Sequence, residues 1–212
     1  MGKWLRTLGW MAVVIGVIVG GLRATVLRWW WVPTDDAMLG ASLAPSLFPG
    51  DLILMWHNTP KFGDLARCAD PETPGRYIIG RVVGESGDKL EFRSDNVVVN
   101  GKQSVVEHSC SPDHVTISDP TSGADFNLRC SVESIINHKH MRGTNAGSAV
   151  MGDRHAEVAQ GQFYLLSDNR VFPFDSRNYG GVPIETCRDV VFFRIMGRKG
   201  LSDVDTRLMV VQ

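Results

Sequence analysis

The sequence predicts a mainly β body behind one N-terminal apolar helix. Three observations carry that expectation: an uncharged stretch near the N terminus, short apolar runs cut by Gly, Asp, Asn and Pro, and no strong amphipathic helical period beyond Pro33. At 212 residues, 43% hydrophobic and 21% charged, the chain can bury a core, and its length suits one domain carrying an insertion. Its 22 glycines and 10 prolines are ordinary usage, which excludes collagen-like and low-complexity chains.

The uncharged stretch is Thr7–Leu22, flanked by Lys3 and Arg6 on one side and Arg23 and Arg28 on the other. Sixteen residues are short for a hydrocarbon layer of about 30 Å, which needs roughly 20 residues of helix. If Arg23 snorkels, Ala24 to Leu27 extend the apolar length, and Trp29-Trp30-Trp31 falls where an aromatic belt would meet the membrane surface. An uncleaved anchor over residues 1–31 is the expectation. The alternative is a cleavable secretory signal, but no clean small-x-small site follows Leu22. Both flanks carry two basic residues, so charge leaves the orientation open.

The body, residues 32–212, holds 18 basic and 23 acidic side chains, a balance that offers no electrostatic reason to bind nucleic acid. Strands are predicted, in order, at Leu52–Trp56, Tyr77–Val83, Lys89–Phe92, Val97–Val99, Phe163–Leu166 and Val190–Ile195. Asn100-Gly101 has the chemistry of a tight hairpin turn. Residues 103–160 are polar, hold five of the six histidines with Cys110 and Cys130, and read as an irregular insertion or subdomain.

Three segments in order resemble the bacterial type I signal peptidases, membrane-anchored serine endopeptidases. Ser42-Leu43-Ala44-Pro45-Ser46-Leu47 with Gly50-Asp51 is similar to the family's Ser-Met-x-Pro-Thr-Leu and Gly-Asp signature. Gly80-Arg81-Val82-Val83-Gly84 with Gly87-Asp88 is similar to its Lys-Arg-x-Val-Gly-x-x-Gly-Asp segment. Ser167-Asp168-Asn169-Arg170 with Asp175-Ser176-Arg177 and Val182-Pro183 is similar to Gly-Asp-Asn-Arg, Asp-Ser-Arg and Val-Pro, and Gly63-Asp64 adds a weaker match. Each segment alone is most often a polar turn; their shared order behind an apolar helix carries the resemblance.

The resemblance implies a signal-peptidase-like folded β-sheet domain in which Ser42 attacks the carbonyl ending a signal peptide and forms an acyl-enzyme that water clears. The Ser42 backbone N–H would hold the oxyanion, while Gly40, Ala41, Pro45, Asp168, Asn169, Arg170, Asp175, Ser176 and Arg177 would support the site. Gly40 stands where some members carry a hydroxyl, so no side chain assists there. The family's base is a lysine kept neutral by apolar burial. That position is Gly80, and the place of the serine that orients the lysine is Pro173. Arg81 cannot substitute: guanidinium stays protonated, and a strand neighbour points to the opposite face.

Three readings follow from these departures. The leading one is a serine endopeptidase with another base, for example His57, His155 or Lys89. The second is an inactive peptide-binding or regulatory membrane protein, and the third an anchored β-domain in which Ser42 is a turn residue. On the leading reading the partners are signal-peptide-bearing preproteins and the lipid bilayer. The resemblance places the body on the outer face of a bacterial cytoplasmic membrane, with no cofactor or metal implied. Outside the cytosol Cys110 and Cys130 favour a disulfide; Cys68 and Cys187 pair or remain buried thiols. A zinc site from Cys110, Cys130, His138 and His140 matches no recognised ligand spacing, and His138-Lys139-His140 reads as a solvated loop.

Overall fold

The structure is a computed structural model that describes residues 2–93, 96–145, 154–202, 204 and 206–211, and of residues 2, 3, 5 and 24 the backbone alone. The side chains of Lys3 and Ala24 in the anchor reading, and residues 146–153 of the polar stretch, thus lie outside the described residues. In chain order the elements are α1 (Gly2–Thr25), β1 (Leu27–Trp31), α2 (Ala37–Ser42), β2 (Leu52–His57), β3 (Leu65–Ala69) and β4 (Tyr77–Gly84). There follow β5 (Lys89–Arg93), β6 (Asn96–Val99), β7 (Lys102–Gln103), β8 (Val105–Ser118), β9 (Asp125–Ile135), β10 (His138–Thr144) and β11 (Arg154–Glu157). The last are β12 (Gln162–Leu166), α3 (Ser176–Tyr179), β13 (Val182–Pro183), β14 (Cys187–Met196) and β15 (Met209–Val210).

The mainly β expectation holds, and each predicted run lies within a strand, from β2 through β14. An eight-stranded sheet runs β1-β2-β14-β3-β4-β12-β13, with β15 on β14; β10-β9-β8 and β11-β5-β6-β7 form two smaller sheets. Asn100 and Gly101 take φ values of 49° and 79°, as the two-residue turn of a hairpin requires, and Val99 pairs with Lys102 across it. Ile53 and Met55 point into one core cluster with Leu39, Leu43, Leu47 and Ile79, and Leu52, Leu54 and Trp56 point outward by the strand period of two. Leu43 and Leu47 are thus core residues and Phe48 is half-buried.

Helix α1 is long and apolar enough to cross a membrane over Arg6–Arg23, and the apolar side chains described in that stretch are exposed. The expected continuation to Leu27 is corrected: the helix ends at Thr25 and Leu27–Trp31 is strand β1. Thr25-Val26 and the three tryptophans prefer extended backbone, and β2 supplies the ladder partners, from Leu27 opposite Trp56 to Trp31 opposite Leu52. The tryptophans alternate, Trp29 and Trp31 exposed and Trp30 against the core.

The 103–160 stretch is not irregular. A 14-residue strand, β8, pairs with the 11-residue β9, which pairs with β10. This ribbon keeps polar side chains on both faces over much of its length, so its backbone ladder leaves no apolar alternation to read. Both cysteine pairs are disulfides, Cys110–Cys130 within the ribbon and Cys68–Cys187 directly across β3 and β14. The first of these removes the two thiolates that the zinc alternative required.

Candidate active site

Ser42 is the last residue of α2, a short helix started by Asp36, whose carboxylate accepts from the Leu39 N–H at 3.0 Å. Leu39 and Leu43 sink into the core and fix the helix against β2 and β4. The same packing buries Ser42 completely, and its hydroxyl donates to the Leu39 carbonyl at 2.8 Å. A Cβ at Gly40 would collide with the Pro49 ring, so glycine there is a packing requirement and a hydroxyl at that place is excluded.

The Asp168–Arg177 segment lies directly against this loop. The Asn169 backbone N–H donates to the Ser42 carbonyl at 3.0 Å, its side-chain amide donates to the Ala41 carbonyl at 2.7 Å, and its Oδ1 accepts from the Val171 and Phe172 N–H groups. Asp168, also buried, takes the Nε and Nη2 of Arg81 at 2.9 and 2.8 Å and the Ser46 hydroxyl at 2.5 Å. Burial alone would push the Asp168 carboxyl up; the Arg81 guanidinium reverses this and holds it below the usual carboxylate range. Pro45 follows the serine as part of the same loop, and the motif residue Asp51 accepts from the Phe48 N–H at 2.9 Å.

The rest of the segment is structural scaffolding. Asp175 caps α3, accepts from the Ser167 N–H at 2.8 Å and pairs with Arg177 at 2.8 and 2.7 Å, the ion pair expected there. The buried Ser176 hydroxyl accepts from the Leu165 N–H at 2.9 Å. Arg170 reaches Glu133 on β9 at 2.5 Å, and Arg142 meets the same carboxylate at 3.2 Å. His140 Nε2 lies 3.3 Å from Glu133 without a well-directed hydrogen bond. Burial favours a protonated Glu133, yet the Arg170 and Arg142 guanidiniums hold it strongly ionised; burial chiefly keeps His140 neutral, its pKa below the ordinary histidine value. His140 is therefore a core residue on a strand, which corrects its reading as part of a solvated loop.

This buried polar cluster is what sequence reasoning missed. The available signal was Arg81 itself, a cation inside an otherwise apolar strand run, because such a residue is seldom buried without a carboxylate.

Among the described residues, the Ser42 hydroxyl makes its one hydrogen bond to the Leu39 carbonyl, and no titratable side chain is bonded to it. Gly80 pairs with Ala66, and a Cβ built there would sit 3.0 Å from Leu165 Cβ and 3.6 Å from the Leu166 backbone N and O, so any side chain there meets β12. Pro173 occupies the turn between Asn169 and Asp175. Of the alternative bases, His57 is committed to Asp189 at 2.9 Å, while His155 and Lys89 stand exposed on β11 and β5. None of the three is hydrogen-bonded to Ser42 among the described residues.

Known proteins are similar over most of this length. The chain is 25% identical over 158 residues to signal peptidase I V of Bacillus subtilis, covering 70% of this chain and 77% of that one. It is 26% identical over 188 residues to signal peptidase I of Bacillus caldolyticus, covering 87% and 88%. A crystal structure of a signal peptidase I from Enterococcus faecalis aligns at TM-score 0.37 and 22% identity, covering 62% of this chain and 95% of that one. The family model described as signal peptidase, peptidase S26, matches residues 4–196, and the chain belongs to that family and is a peptidase.

Proposed function

We propose that the chain is a membrane-bound serine endopeptidase that removes N-terminal signal peptides from exported proteins, with Ser42 as nucleophile and a base that does not come from the family's lysine position. The observation that supports this most directly is the double hold of Asn169 on Ala41 and Ser42, which fixes the serine loop against the Asp168–Arg177 segment. Positioning of this kind is the larger part of what such a site must supply before chemistry begins. Gly40, Ala41 and Pro45 shape the loop; Asp168, Asn169, Arg170, Asp175, Ser176 and Arg177 hold it. The substrates are signal-peptide-bearing preproteins, and α1 spans a bacterial cytoplasmic membrane once with the body on its outer face.

The serine Oγ must leave the Leu39 carbonyl and give its proton to an acceptor as it attacks the peptide carbonyl. That proton must then pass to the amide nitrogen as the C–N bond breaks, so that the departing chain leaves as a neutral amine and the acyl-enzyme remains for water to clear. A second reading, peptide binding without cleavage, is favoured by the Leu165 and Leu166 atoms that crowd the position a side chain at Gly80 would take. The two separate in one assay: the full chain in detergent micelles is incubated with a preprotein, and the product's new N terminus is sequenced. Turnover by wild type, lost in Ser42→Ala and rising with pH through the base's pKa, supports the peptidase. Wild-type binding without turnover, unchanged in Ser42→Ala, overturns cleavage in favour of binding.

A further inference from the structure

A cavity of about 600 Å³ opens beside the serine loop, between that loop, the Cys110–Cys130 end of the ribbon and the end of β14. Its size suits a side chain or short peptide segment. Pro45 and Phe48, three and six positions beyond Ser42, line it, so at most about 11 Å of extended chain separates Ser42 from Pro45.

The charge of this cavity opposes that of the body around it. Arg194, Arg198 and Lys199 line it against one carboxylate, Asp51. Asp51 satisfies Arg194 only partly, by a 3.3 Å contact to Nη1, and burial raises its own pKa. Arg194 is 5% exposed, and among the described residues its Nη2 meets the Met209 sulfur and its Nε has no hydrogen-bond partner. Thr206 Oγ1, on the same wall, is buried and also has no hydrogen-bond partner among the described residues. Unmatched buried donors of this kind are costly unless a ligand meets them. Around them Phe48, Met141 and Met209 give an apolar lining able to take a methylene stem.

We propose that this cavity binds the carboxylate of an acidic side chain carried by the exported polypeptide a few residues from the bond presented to Ser42. The inference rests on the peptidase reading above and adds a substrate feature to it. A peptide is favoured over a lipid headgroup because the cavity adjoins the serine loop and pairs its cations with an apolar lining. Elsewhere the acidic body repels such a chain, so the cavity selects where the carboxylate lands.

The test uses the full chain in detergent micelles with ¹³C-labelled methionine methyls and fluorescent peptides spanning a signal-peptide cut, identical except for Glu or Gln at positions flanking it. The expected result is about tenfold tighter binding of the Glu peptide. The Met141 and Met209 methyl signals shift with it, and both effects are lost in the Arg198→Glu and Lys199→Glu variants. These exposed cations can be reversed without disturbing the core, whereas Arg194→Met strips Asp51 of its partner and risks the fold. Equal binding of both peptides with unmoved methyls overturns the subsite and leaves the peptidase reading standing. Failure of both peptides to bind overturns that reading and the subsite together. Methyl shifts produced by anionic-lipid vesicles but by neither peptide overturn the proposal in favour of a headgroup site.

Discussion

Gly80 and Arg81 are neighbours on β4, and they face opposite sides of one sheet. Arg81 enters the polar cluster, held by Asp168 and the Gly63 carbonyl and joined through Asp168 to Ser46. Gly80 faces an apolar wall built of Leu165, Ile78, Val82 and Ala66. One face thus carries the polar cluster that adjoins the serine loop, while the other presents apolar side chains at the place where the resemblance puts a base. Holding a nucleophile in place and taking its proton are separate physical tasks, and alternation along one strand lets the second change without loosening the first.

The sharpest way to break this comparison is on the Arg81 side. Arg81→Met leaves Asp168 buried without its cation and is expected to cost about 3–5 kcal/mol in urea unfolding. A cost below about 1 kcal/mol would show that the pair does not hold the serine loop. On the other side, Gly80→Lys must move Leu165, and the crowding is expected to cost roughly 1–3 kcal/mol. Combined with Pro173→Ser it should raise preprotein turnover; an unchanged rate would mean that the wall has no room for a neutral amine pointed at Ser42.

Acid tests the polar cluster as a whole. Asp168, Glu133 and His140 all have folded pKa values below their ordinary ones, so the unfolded chain binds more protons and stability falls as pH falls. For His140 the loss begins near the ordinary histidine pKa, about 6.5, and ends at its lower folded value; for the two carboxylates it begins near about 4. Thermal unfolding followed from pH 8 downward should decline in those two stages, and His140→Gln should remove the first. The most local effect expected is that of Ser176→Ala, which leaves the buried Leu165 N–H unmatched at about 1–3 kcal/mol in unfolding while Asp175–Arg177 stays paired.

The strands of the large sheet were legible because runs such as Tyr77–Val83 are continuous apolar segments between turn residues. Asn100-Gly101 was legible because the chemistry of its turn is local. The β8–β9 ribbon was not, since a strand solvated on both faces shows no pattern of side chains. Ser42 beside Asp168–Arg177 was legible as an order of motifs, whereas Arg81 with Asp168 and Arg170 with Glu133 join positions 87 and 37 residues apart. Nothing in the local sequence names such partners. The tryptophans illustrate competition: their hydrophobicity suggested a belt, but backbone pairing with β2 decided their conformation.

Val26 alone separates α1 from β1, and it is tied on both sides: its N–H donates to the Leu22 carbonyl at 2.9 Å and its carbonyl accepts from the His57 N–H at 2.6 Å. The Arg23 guanidinium lies 3.5 Å above the Trp29 ring across the same junction. A catalytic body moored this tightly has no leash on which to roam. If α1 fixes it at the bilayer, its working height and tilt are set by the helix, and a preprotein must drift sideways to the cleft because the cleft cannot reach out to the preprotein.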